Sequence, residues 1–155
     1  MSRAFVKESD DGGEVGALPE RAVSTHRNLV TATGLEQITA AIRRLVDELT
    51  AARTGADPAA VARCQRDLRY WTRRRANAEL VAPPRSHDRV RFGSRVRVAL
   101  RDGTERRFRI VGEDEADPAA GAISYVAPVA AAMIGSRVGE AVQTGAGEGE
   151  ILEIS

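Results

Sequence analysis

GLEQITAAIRRLVDELTAARTGADPAAVARCQRDLRYW, residues 34–71, decides the fold. Leu35, Ile38, Ile42, Leu45 and Leu49 recur at spacings of 3, 4, 3 and 4, an apolar seam held over two heptads that needs a partner helix. Val61, Cys64, Leu68 and Trp71 repeat the 3, 4, 3 spacing after a break at Thr54-Gly55-Ala56. Asp57-Pro58 supplies a helix cap followed by proline at the first helical position. Two heptad segments joined by so short a break fold back as an antiparallel helical hairpin. On the near side, Thr33-Gly34-Leu35-Glu36 has capping-box spacing, so Thr33 is expected to cap the first helix. Arg75 and Ala78 extend the second seam until Pro83-Pro84 forbids helix.

Beyond the prolines the period changes from helical to alternating. Val96, Val98 and Leu100 alternate with Arg95, Arg97 and Arg101, Asp102-Gly103 is a hairpin turn, and Phe108 and Ile110 continue on the return strand. Ile123 to Val126 reads as a third strand, and Pro128 to Ile134 as a short helix stopped by Gly135. Two further strands, Ala141–Thr144 and Glu150–Ile154, flank Gly145-Ala146-Gly147. The expected fold is α+β. A flexible arm (1–30) touches the folded part through Leu29 and Val30. An antiparallel coiled-coil hairpin (31–81) follows, then a small antiparallel β-domain with one short helix (85–155).

Composition narrows the function classes. With 43% hydrophobic and 29% charged residues the chain has enough apolar material for a core. No apolar run approaches the roughly 18 residues of a membrane span, and no signal-type segment opens the sequence, so a cytoplasmic protein without membrane contact is expected. One cysteine excludes an internal disulfide, and Cys64 on the seam reads as a buried structural thiol. The net charge of +1 hides an asymmetry: residues 81–110 carry nine basic and three acidic side chains, residues 111–155 one and eight. Arg66, Arg69 and Arg73 on the second helix are candidate contacts for weak, nonspecific nucleic-acid binding, but the arginines there spread around much of the helix.

Catalytic patterns are sparse. His26 and His87 stand alone, and Gly145-Ala146-Gly147 lacks the strand-to-helix setting of a phosphate loop. The run Glu113-Asp114-Glu115-Ala116-Asp117 lacks the glycine and terminal glutamate of a calcium loop and reads as a solvated acidic loop. Neither a metal, nor a cofactor, nor enzymatic activity is expected.

Several segments resemble the Gre family of transcript-cleavage factors. Arg107-Phe108-Arg109-Ile110-Val111-Gly112-Glu113-Asp114-Glu115-Ala116-Asp117 is very similar to the segment opening that family's C-terminal domain. Ile123-Ser124-Tyr125-Val126-Ala127-Pro128, Ile134-Gly135-Ser136-Arg137-Val138-Gly139 and the stretch from Gly145 to Ile154 follow at the family's spacing. Val90-Arg91-Phe92-Gly93-Ser94 resembles the entry into the domain, and Asn77-Ala78-Glu79-Leu80-Val81 the end of the second helix. The resemblance implies an FKBP-like β-domain that grips bacterial RNA polymerase beside its secondary channel, through a loop that maps onto Val126, Ala127 and Pro128, with the coiled coil pointing down the channel. The family often has serine where Ala127 stands.

The departures bear on activity. Family members that stimulate cleavage carry two carboxylates three residues apart at the hairpin tip, where they help hold Mg²⁺. Here the tip, marked by Gly55 and Asp57, has alanine at position 60, and one carboxylate is a poor ligand set for a hard cation. The arms, about 19 residues each, are also shorter than the family's by ~12–15 Å. This resembles the Rnk-type members, regulators of nucleoside diphosphate kinase, which bind the same polymerase site without stimulating cleavage. The expectation is a monomeric polymerase-binding regulator; a cleavage factor with an atypical tip and a prolyl isomerase on the FKBP-like fold are the alternatives.

Overall fold

The computed structural model describes residues 18–155. Residues 1–17 of the expected arm lie outside them. A strand β1 (Asn28–Val30) leads into the helices α1 (Ala32–Thr54) and α2 (Pro58–Ala76), which pack as the expected hairpin, and a strand β2 (Ala78–Leu80) leaves it. Ile38, Leu45 and Cys64 are buried along the seam. The β-domain runs β3 (Arg95–Leu100), β4 (Glu105–Val111), β5 (Ala122–Ser124), α3 (Pro128–Met133), β6 (Ala141–Thr144) and β7 (Gly147–Ile154). Its five strands lie in the order β5-β4-β3-β7-β6. Val96, Val98, Leu100, Ile110 and Ile151 point to one face, where Ala130 and Met133 of α3 close the core. The α+β architecture matches the sequence reading.

Five local expectations are corrected. First, the arm is not loose up to residue 30: β1 pairs in parallel with β2, and Asn28 and Val30 are buried. Second, Thr31 rather than Thr33 caps α1, its Oγ accepting from Gly34 N at 3.0 Å. Thr31 is preferred because its hydroxyl also donates to Glu115, a contact beyond the reach of local spacing. Third, α2 stops at Ala76, short of the prolines, because Ala78–Leu80 is drawn into pairing with β1. Fourth, β5 runs parallel to β4, so the sheet is mixed; two short 3₁₀ turns, Glu113–Glu115 and Pro118–Ala120, make the crossover. Fifth, of the acidic run 113–117 only Asp117 is exposed, and Glu113–Glu115 is not a solvated loop. It is the joint between hairpin and β-domain.

At that joint the Arg74 side chain is 1% exposed and its guanidinium meets Asp114 at 2.5 Å and Glu113 at 3.5 Å. Tyr70 Oη donates to the other Asp114 oxygen at 2.6 Å. The Glu115 carboxylate, also 1% exposed, pairs with Arg109 at 3.0 Å and accepts from Thr31. A buried charge is tolerated only when paired, so these contacts register α2, the start of α1 and β4 against one another. Two glycines permit the approach. A Cβ on Gly34 would sit 2.7 Å from Glu115 Oε2, and one on Gly112 2.4 Å from the Leu29 carbonyl.

Candidate functional site

Three surfaces carry the residues singled out by the sequence, and the fold separates them. The hairpin tip is the first. Gly55 ends α1 in ordinary right-handed conformation, its N–H donating to the Ala51 carbonyl at 2.8 Å. The left-handed residue of the turn is Ala56, at φ 52°. Asp57 is the N-cap of α2, and its Oδ1 accepts from Ala60 N at 2.9 Å. One carboxylate oxygen is thus committed to capping, and the residue it caps is the alanine where a second carboxylate would stand. The tip groove, bordered by Ala52, Arg53, Ala56, Asp57, Val61 and Gln65, has Asp57 as its single acid.

The second surface is the loop between β5 and α3. Ala127 N donates to the Ser124 carbonyl at 2.9 Å, and Pro128 opens α3 with its ring exposed. Ala127 stands at the N-cap without a side-chain cap, so α3 relies on its proline and on Ala130 and Met133, both fully buried. Tyr125 anchors the loop from behind. Its ring meets Phe92 edge-on at 5.7 Å, and its hydroxyl donates to the Arg27 carbonyl at 2.5 Å. Burial raises the Tyr125 pKa. Past α3, Ile134 and Val138 are 40% and 55% exposed, an apolar addition that sequence reading missed.

The third surface is α2. Arg66 pairs with Asp67 at 3.0 Å, and Arg69 with Glu20 at 2.6 Å, which lowers the Glu20 pKa. Arg21 lies 3.8 Å over the Tyr70 ring. Arg73 is exposed and has no carboxylate partner among the described residues. The segment around Glu20 and Arg21 therefore overlays α2, and two of the three candidate arginines are already neutralised. The most constrained arginine, Arg74, escaped sequence reading because strict 3, 4 alternation from Trp71 leads to Arg75, which is exposed.

Among the described residues, no group of three or more histidine, cysteine, aspartate or glutamate side chains is placed to hold a metal ion. No helix among them is long and apolar enough to cross a membrane.

Residues 85–155 match the family model of the transcription elongation factor GreA/GreB C-terminal domain. A transcription elongation factor GreA of Rhizobium etli is 40% identical over 75 residues, which cover 45% of this chain and 48% of the relative. A transcription elongation factor GreB of Yersinia pestis is 44% identical over 94 residues, 57% of this chain and 55% of the relative. The chain thus spans about half the length of the curated relatives it matches. The crystal structure of GreA factor homolog 1 (Gfh1) of Thermus thermophilus aligns over 84% of this chain and 99% of its own, at 18% identity and a TM-score of 0.41.

Proposed function

We propose that this protein is a Gre-family transcription factor that docks on bacterial RNA polymerase at the secondary channel. There it competes with cleavage factors and does not itself stimulate transcript cleavage. The match of residues 85–155 to the GreA/GreB C-terminal domain supports the partner. The observation that carries the non-cleaving reading is the tip: Asp57 alone, already capping α2, with Ala60 where a partner carboxylate would be needed. Mg²⁺ takes octahedral oxygen ligands and gives up its water reluctantly, so one shared carboxylate contributes little.

Reach supports the same reading. α1 has 23 residues and α2 has 19, or about 34 and 28 Å at 1.5 Å per residue. α1 is longer than the 19 residues expected, but its first turn is packed against Glu113–Glu115 and adds nothing to the projection. The short arm fits the Rnk-type members better than the cleavage factors. In this reading the protein works in the cytoplasm as a monomer, and Val126, Ala127 and Pro128 make the grip.

Two measurements test it. Core polymerase should retain the protein, and Pro128→Glu should weaken that retention with the circular dichroism spectrum unchanged. A stalled elongation complex should cleave its transcript no faster with the protein than without, and excess protein should suppress cleavage driven by a genuine GreB. Cleavage that disappears on Asp57→Ala would instead make the chain a cleavage factor with an unusual tip.

A further inference from the structure

The outer face of the β-domain sheet, opposite its core, breaks a rule of strand pairing. In the register of β3 with β4, Arg95 lies directly opposite Arg109, and Arg97 opposite Arg107. Like charges in such positions destabilise a sheet. Acidic relief is partial: Arg97 pairs with Glu105 and Glu153, and Arg109 with Glu115. Arg95 and Arg107, diagonal neighbours in this register, are exposed and have no carboxylate partner among the described residues. The four arginines line one groove of about 470 Å³ in which Glu153 is the single acidic side chain. Arg95 and Arg109 also border a second groove, which runs past Pro84 and His87 to Thr31 at the hairpin base. A local rule broken with only partial compensation inside the fold marks a place shaped for something else.

We propose that this face binds the phosphate backbone of a single-stranded nucleic acid, with Arg95 and Arg107 each holding a phosphate and Arg109 supporting them. A guanidinium offers paired donors that match phosphate oxygens. Two shallow grooves joined at Arg95 and Arg109 form a track rather than an enclosure, which suits a chain of repeated charges. A small nucleotide needs a site that covers most of its surface. An acidic peptide fits worse. β3 lies between β4 and β7, so no strand can be added beside Arg95, and the four arginines outnumber the apolar side chains that line their groove, Val96, Phe108 and Ala120. The binding is sequence-independent, weak and salt-sensitive. It does not rest on polymerase docking, because it concerns a different surface and is measured on the protein alone.

The test is fluorescence anisotropy of a labelled ~12-nucleotide single strand, titrated with the full chain from ~25 to ~200 mM salt. Arg95→Ser/Arg107→Ser should weaken binding at least ~10-fold at the lowest salt. It should also flatten the log–log salt slope by about 1.4, two phosphates at about 0.7 each. The same variant should melt no earlier than the parent, since it relieves like-charge pairs. Should it melt early, Arg107→Gln alone carries the test, with half the change in slope. Arg66→Ser/Arg69→Ser/Arg73→Ser should leave affinity and slope as they were. Four outcomes would overturn the proposal: no binding by the parent at ~25 mM salt; an unchanged slope in the sheet variants; loss confined to the α2 variant; or displacement of the strand more readily by polyglutamate or a nucleoside triphosphate than by unlabelled oligonucleotide.

Discussion

At single positions, the turn of the hairpin shows how backbone conformation and residue type can part company. The tip contains a glycine, but the left-handed conformation falls one residue later, on Ala56. A left-handed residue with a Cβ costs roughly 1–2 kcal/mol, while a Cβ on Gly55 would meet the Ala51 and Ala52 carbonyls at an ordinary 3.4 and 3.9 Å. Exchanging the two, Gly55→Ala with Ala56→Gly, should therefore raise stability by about 1 kcal/mol in a urea melt. An unchanged or lower midpoint would show that the Ala56 conformation is not strained. Gly112 is the opposite case. Its Cβ would overlap the Leu29 carbonyl, so Gly112→Ala must push β1 off the joint, at a cost of about 2–3 kcal/mol measured the same way.

Among the elements, the contact of α2 with the acidic turn carries most of the electrostatics. Arg74 is buried with its charge balanced by Asp114 and Glu113, and removing one member of a buried pair costs about 3–5 kcal/mol. Arg74→Ala should show that loss, and Arg74→Leu/Asp114→Leu should recover part of it, because the desolvated charge disappears with its partner. Tyr70 adds a pH dependence. Burial first, then the hydrogen bond to Asp114, push its hydroxyl from the ordinary 10.0 up to about 12. The folded state thus holds the proton more tightly than the unfolded chain. The associated stability is complete below pH 10 and is lost as pH rises from 10 to about 12. Tyr70→Phe should shrink that alkaline step in a stability–pH profile, leaving the part that Tyr125 contributes; a step of unchanged size in the variant would assign it to another group.

For the molecule as a whole, the buried ion pairs of the joint should couple hairpin and β-domain into one cooperative body. Trp71, the sole tryptophan, sits on the hairpin, so its fluorescence follows that part while far-ultraviolet circular dichroism follows both. In the parent the two unfolding curves should coincide. In Arg74→Ala the fluorescence transition should come first, with the β-domain outlasting it on its own core of Val96, Val98, Ile110 and Ile151. Coincident curves in the variant would place the coupling in the β1–β2 pairing instead. The same contacts connect the hairpin to the loop between β5 and α3, since Tyr125 joins that loop to Arg27, just before β1, and β1 is paired with the strand leaving α2.

The sequence by itself determined what depends on near neighbours. The 3, 4 seam from Leu35 to Trp71, the alternation from Arg95 to Ile110, the Asp57-Pro58 helix start and the Pro128 start of α3 are all short-range signals, and each element formed where they stood. The lone tip carboxylate was equally legible, being a matter of which residue types are present. What only the tertiary structure decided are contacts across long separations. Thr31 meets Glu115, Arg74 meets Asp114, Arg69 meets Glu20, and Asn28 faces Ala78 in a parallel pair. A charged residue reads the same in sequence whether it ends in water or opposite its partner. The acidic run 113–117 therefore looked solvated, Arg74 was indistinguishable from its neighbours, and the register that sets Arg95 against Arg109 could not be seen. Burial and strand register are set by the packing of distant segments, and local periodicity does not encode them.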